Sequence, residues 1–330
     1  MRLIKIAALS LAIAGGLALT TLRAQTSNGV PPGTPSISAA PLDQTAAPPP
    51  PAEPKSEGLP AHAVPVFRIG PLPVTNSMLV TWIVAVGIIV FARYATSNLK
   101  EIPDGAQNFW EFLVETLHDF LAEIVGADLI KKTFWFFATI FIFICFTNWF
   151  GLVPGVGTIG RGIHTANGFE VTEPLLRGGN ADLNMTFAMA MIFMLLWFVW
   201  ALQSNGIWGF VLHIFGPKGD NQGFMKYAMI IVFFAVGLIE VMSISFRPIS
   251  LSFRLFGNIF AGENLMDAMS HLIKEPAWAR AVASVIIPIP FYFMELLVGF
   301  VQAIVFMLLT AGFTSVICMH DDDAHAKEHH

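Results

Sequence analysis

Charge is scarce in this chain. Only 12% of its 330 residues are Asp, Glu, Lys or Arg, against about 25% in an ordinary soluble domain, while 55% are hydrophobic. A soluble globular class is thereby excluded, and lipid is the solvent that fits. Basic excess is missing too: the formal net charge is −5 and the Lys and Arg residues are scattered, which sets nucleic acid aside as a partner. There are two cysteines, Cys145 and Cys318, both in apolar runs, so neither a disulfide framework nor a cysteine metal site is expected. No Gly-x-x-x-x-Gly-Lys-[Ser/Thr] phosphate loop occurs, so this chain carries no ATP chemistry of its own and no cofactor is expected. No internal repeat marks the inverted halves of a secondary transporter.

What is present falls into four stretches. Residues 1–24 read as a secretory signal peptide: Arg2 and Lys5 precede an apolar run from Ile6 to Leu19, with the small residue Ala24 behind it. Arg23 makes the cleavage site imperfect, and an uncleaved first helix is the other reading. Residues 25–70 are rich in Pro, Ala, Ser and Thr, a composition that cannot bury a core and reads as a disordered linker. Residues 75–319 hold the long apolar runs. Residues 320–330 form a His- and Asp-rich tail, read as a solvated end and not a metal site.

Within 75–319 the fold class is an all-α polytopic membrane protein with about five membrane helices and one amphipathic surface helix. The first span is Met78 to Ala95, near the minimum for crossing about 30 Å of hydrocarbon. From Gln107 to Ile124, Phe109, Phe112, Leu113, Leu117, Phe120, Leu121 and Ile124 recur at helical spacing, opposite Glu111, Glu115, His118, Asp119 and Glu123. That is the surface helix. Further spans are Phe134 to Pro154, Met185 to Leu202, Met225 to about Leu272, and Ala281 to Met319. The last two exceed a perpendicular crossing, so they must tilt strongly, kink or break, with Pro248, Pro288 and Pro290 as candidate kinks. Five spans put the N-terminus outside and the C-terminus in the cytoplasm of a bacterial inner membrane. Arg93, Lys100, Lys131, Lys132, Lys218 and Lys226 then lie inside, against Arg161, Arg177, Lys274 and Arg280 outside.

The chemistry concentrates in the run from Met225, where Glu240, Arg247, Arg254 and Glu263 are flanked by apolar residues. Each charge costs about 2.5 to 3.5 kcal/mol at mid-membrane on insertion scales, so the four must face protein or water. At about 100° per residue, Glu240, Arg247, Arg254 and Asn258 share a stripe, and Glu263 points roughly half a turn away. Glu240 and Arg247 can be read as an internal salt bridge. Arg254 has no carboxylate three or four residues away. An arginine keeps its proton at physiological pH, so Arg254 can attract a carboxylate or repel a cation but cannot relay protons.

The string Arg254, Leu255, Phe256, Gly257, Asn258 through Gly262 and Glu263, preceded by Arg247 and Pro248, resembles the signature of subunit a of the F-type rotary ATP synthase. Asn148, Gly151, Leu152 and Pro154 at the end of one helix, Asp182, Asn184 and Thr186 at the start of the next, and Gln302 on the last match as well. The resemblance spans about residues 75 to 318. It implies a proton-translocating stator subunit in which Arg254 acts on the carboxylates of a passing ring of small hairpin rotor subunits and separates two half-channels. It further implies Asn258 and Gln302 beside Arg254, Glu263 and Glu295 in the outer half-channel, Glu240 on the cytoplasmic path, and peripheral stalk subunits as partners. Many relatives pair a histidine with a glutamate where this chain has Glu263 and Glu295, and two close carboxylates resist double ionisation. His271 is a candidate substitute for that histidine. The rival from another class is a secondary transporter in which Arg254 binds an anionic substrate. A membrane scaffold, indifferent to loss of Arg254, is the third.

Overall fold

The computed structural model describes residues 63–70, 72–165, 168–216, 224–270, 272–273 and 276–318. Residues 1–24, read as a signal peptide, most of the stretch read as linker, His271 and residues 319–330 lie outside the described residues. The elements are β1 Pro65–Ile69, β2 Leu72–Thr75, α1 Asn76–Ala95, α2 Gly105–Val125, α3 Ala127–Gly151, β3 Gly160–Thr165, β4 Gly168–Pro174, a short 3-10 turn Gly179–Ala181, α4 Leu183–Phe215, α5 Phe224–Ser270, α6 Ala277–Ile286 and α7 Pro288–Cys318. Five stretches are long and apolar enough to cross a membrane: residues 76–95, 127–151, 183–215, 232–270 and 278–318. The chain is thus an all-α multi-pass membrane protein, with α2 as the additional amphipathic helix.

Two antiparallel hairpins, β1–β2 and β3–β4, are additions that apolar patterning did not foretell. The first starts inside residues 25–70, the stretch read as linker. Phe67 lies opposite Val74 after a register shift, and Gly162 lies opposite Val171 after another. Asn76 ties the two hairpins together: its Nδ2 donates to the Pro174 carbonyl at 2.9 Å and its Oδ1 accepts from Val64 N at 3.2 Å. Both hairpins therefore sit at one end of the bundle, here the hairpin end.

Local chemistry starts and stops the helices. Thr75 caps α1 by accepting from Met78 N, and Asp182 caps α4 by accepting from Asn184 N at 3.0 Å. Gly206, at φ 68°, interrupts α4 and redirects its last turns, so the span Met185 to Leu202 continues beyond a kink. α5 runs unbroken through Pro248 for 47 residues. At about 1.5 Å per residue that is roughly 70 Å, far more than the hydrocarbon thickness, which demands steep tilt. The run from Ala281 to Met319 breaks at Ile287, just before Pro288, while Pro290 falls in the first turn of α7, where no intrahelical N–H is needed.

The core is built on α3. Phe136 and Phe137 are fully buried: Phe136 stacks on Phe193 and meets Trp200 edge-on, and Phe137 lies tilted against Trp200, both partners on α4. The far end is closed by backbone acceptors: Trp197 donates to the Phe313 carbonyl at 3.1 Å, Asn205 to Ile317 at 2.9 Å, and Ser315 to Ile124 of α2 at 3.2 Å. On α2 the apolar face divides. Trp110, Leu117, Leu121 and Val125 are buried in the protein, whereas Phe109, Phe112 and Phe120 stay exposed. Cys145 and Cys318 are free and buried, in line with a packing role.

Candidate functional site: an acid cleft and an exposed arginine

Two charged regions lie along α5. The first is an exposed face: Phe253, Arg254, Asn258 and Ala261 all point away from the protein's own core. Arg254 forms no ion pair among the described residues. From α7, Phe293, Leu297 and Val301 are exposed, and Gln302 is half-buried. Apolar side chains on this scale, around one unmatched cation, are the dress of a surface that meets lipid or another membrane subunit.

The second region is buried, on the other side of the helix. Glu263 and Glu295 line one small cleft with Asn148, Gly151, Leu152, Ile259 and Met266; its volume of about 10 Å³ is near that of a single water site. The helical phase that turned Glu263 from Arg254 in the sequence is thus present in the fold. Glu263 accepts from Arg177 Nε at 3.3 Å, and Arg177 is 1% exposed. The guanidinium also lies over the Phe260 ring, 5.6 Å from its centre. Two glycines allow this approach. A Cβ at Gly178 would come 2.9 Å from Glu263 Oε1, and one at Gly262 would collide with the Glu295 carboxyl, which rests on the α5 backbone there. Glu295 Oε1 is buried with no hydrogen-bond partner among the described residues.

A polar frame holds the cleft. Asn148 donates to the Gly299 carbonyl at 2.9 Å and accepts from Asn180 Nδ2 at 2.6 Å, while Trp149 Nε1 donates to the Leu296 carbonyl at 3.1 Å. These bonds lock α3, the 3-10 turn and α7 together around the acids. Thr186 and Ser252 bridge α4 to α5 at 3.0 Å.

Glu240 belongs to neither region. It accepts from Arg247 at 3.0 Å, and Arg247 in turn stacks over Phe313 at 4.4 Å and Trp197 at 5.7 Å. The internal salt bridge read from their spacing is therefore present. Of the residues singled out in the sequence, Glu263 and Glu295 are brought together, Arg254 and Asn258 share the exposed face, and Gln302 sits on α7 between burial and exposure. His271 is outside the described residues. Sequence reasoning passed over Arg177, counting it only among loop cations. Its signal was position: an arginine before Gly178 and Gly179 and five residues ahead of the Asp182 cap of a matched helix.

A bundle of five spans, with a buried acid pair on one side of a helix and an exposed arginine on the other, defines a multi-pass membrane protein that holds charged side chains at membrane depth. The family model for the ATP synthase A chain matches residues 78–315. ATP synthase subunit a of Desulforamulus reducens is 32% identical over 257 residues, covering 76% of this chain and 82% of that protein. Subunit a of Gloeobacter violaceus is 28% identical over 260 residues, covering 78% and 90%. A sodium ion specific subunit a from Propionigenium modestum is 29% identical over 239 residues, covering 72% of each. The chain belongs to the ATP synthase A chain family, the ion-translocating stator subunits of the rotary ATP synthase. The secondary-transporter and scaffold readings fall with that assignment.

Proposed function

We propose that this chain conducts protons through two offset half-channels, and that Arg254 couples the flow to rotation of a ring of small hairpin subunits. The carrying observation is the exposure of Arg254, without an ion pair among the described residues, on an apolar face of α5. A fixed guanidinium at membrane depth stabilises an opposite charge that arrives from outside the chain. A ring carboxylate passing Arg254 gives up its proton there and takes one again after leaving. Asn258, one helical turn away, and Gln302 flank the meeting point.

The hairpin end faces the outside of a bacterial inner membrane, and Glu263 and Glu295 serve the half-channel on that side. Glu240, tied to Arg247, serves the cytoplasmic path. The N-terminus is outside, the C-terminus inside, and residues 1–24 act as the targeting leader. Peripheral stalk subunits hold the chain against the torque of the ring. The proton reading is supported by the acid cleft, where a second carboxyl with an unpartnered buried oxygen suits proton binding.

Arg254→Ala tests the proposal in inverted membrane vesicles that contain the assembled complex. ATP-driven acidification should fall below detection while the amount of complex stays the same. Coupled pumping retained in that variant would overturn the proposal.

A further inference from the structure

Two carboxylates and one cation share the cleft, and the geometry treats the two acids differently. Glu263 is held by a cation: Arg177 Nε donates to its Oε2 at 3.3 Å, and the absence of a side chain at Gly178 leaves room for the carboxylate beside it. Arg177 is itself fixed by the Phe260 ring and by near-complete burial. Glu295 has no such anchor. Its carboxyl rests against the backbone at Gly262, and its buried Oε1 has no partner among the described residues.

We infer that Arg177 is a positioning residue that pairs with Glu263 and favours its carboxylate over that of Glu295, and thereby leaves Glu295 as the acid of the cleft that gains and loses the travelling proton. This rests on the ion-path reading above and refines it. The charge count is simple. With Arg177 cationic and Glu263 anionic, the cleft is neutral when Glu295 holds a proton and carries one negative charge when it has passed the proton on toward the ring. One O–H bond breaks at Glu295 and one forms at the acceptor, and nothing else changes charge. Without the cation the two carboxyls share a single proton between them, because two negative charges in so small a space repel each other, and the shared proton is held in place. The other charged groups nearby are Asp267, one turn beyond Glu263 on α5, and Asp182, engaged at the α4 N-terminus. The cleft-lining residues of α3 are Asn148, Gly151 and Leu152, and Glu295 is the lining residue from α7.

The test is ATP-driven pumping per assembled complex in membrane vesicles, with Arg254→Ala as the reference for a dead complex. Arg177→Met should pump at least tenfold more slowly per complex, and Arg177→Lys, which keeps the charge, should recover to within about threefold of the parent chain. Glu295→Gln should be as inactive as the reference. A purely structural arginine would change the amount of complex and leave the rate per complex alone. Normal rates per complex for Arg177→Met, or Arg177→Lys as slow as Arg177→Met, overturn the inference while leaving the role of Arg254 intact. If Arg254→Ala itself pumps, the broader reading fails instead.

Discussion

Arg177 and Arg254 are the same side chain put to opposite uses. Arg177 sits on a short connection, 1% exposed, ion-paired to Glu263 and stacked on Phe260. Arg254 sits mid-helix, exposed, with no ion pair among the described residues. A buried cation with a resident counter-charge is part of the protein's own electrostatic balance, and removing it leaves a carboxylate stranded in a low-dielectric interior. An exposed cation at membrane depth contributes little to that balance. On the proposed function its counter-charge is supplied by a neighbouring subunit, so its loss should affect function and spare stability.

Substitutions can break this contrast or sharpen it. The largest effect is expected at Arg254→Ala: pumping lost, with the thermal unfolding midpoint of the detergent-solubilised complex unchanged within error. A second variant on the other arm, Arg177→Met, should lower that midpoint clearly, since it breaks a buried pair, an effect of about 3 to 5 kcal/mol in other proteins. Equal midpoints for the two variants would erase the distinction. Next, Gly262→Val should displace the Glu295 carboxyl, because even a Cβ has no room there; proton flow should drop at least tenfold, and near-normal flow would show that the acid need not rest on α5. Asn148→Ala removes the donor to Gly299 and the acceptor of Asn180, and should cost about 1 to 3 kcal/mol of stability, read by denaturant or thermal unfolding, while Arg254 chemistry persists. The smallest effect is expected for Asp182→Ala, which removes the α4 cap and should cost about 1 kcal/mol, visible as a modest shift of the unfolding midpoint with pumping retained.

Much of this architecture is legible in the sequence because hydropathy in lipid is a strong signal. The five spans, the long α5 and the break before Pro288 follow from run length and from the proline's missing N–H. The opposite facing of Arg254 and Glu263 follows from helical phase alone. The hairpins were not legible, since strands of four to seven residues in Gly- and Pro-containing connections carry no long-range pattern. Nor was the partnership of Arg177 with Glu263, which are 86 residues apart and meet only in the folded chain. The apolar face of α2 was read as one surface, and the fold divides it, because Trp110, Leu117 and Leu121 meet neighbouring helices that no single-helix pattern can anticipate.

The seating of Glu295 on Gly262 has a mechanical side. At that point α5 and α7 are separated by a carboxyl group alone, so the acid is a spacer between two long beams. A Cβ at position 262 would meet that carboxyl, so the bare backbone of one glycine sets how near the two beams can come.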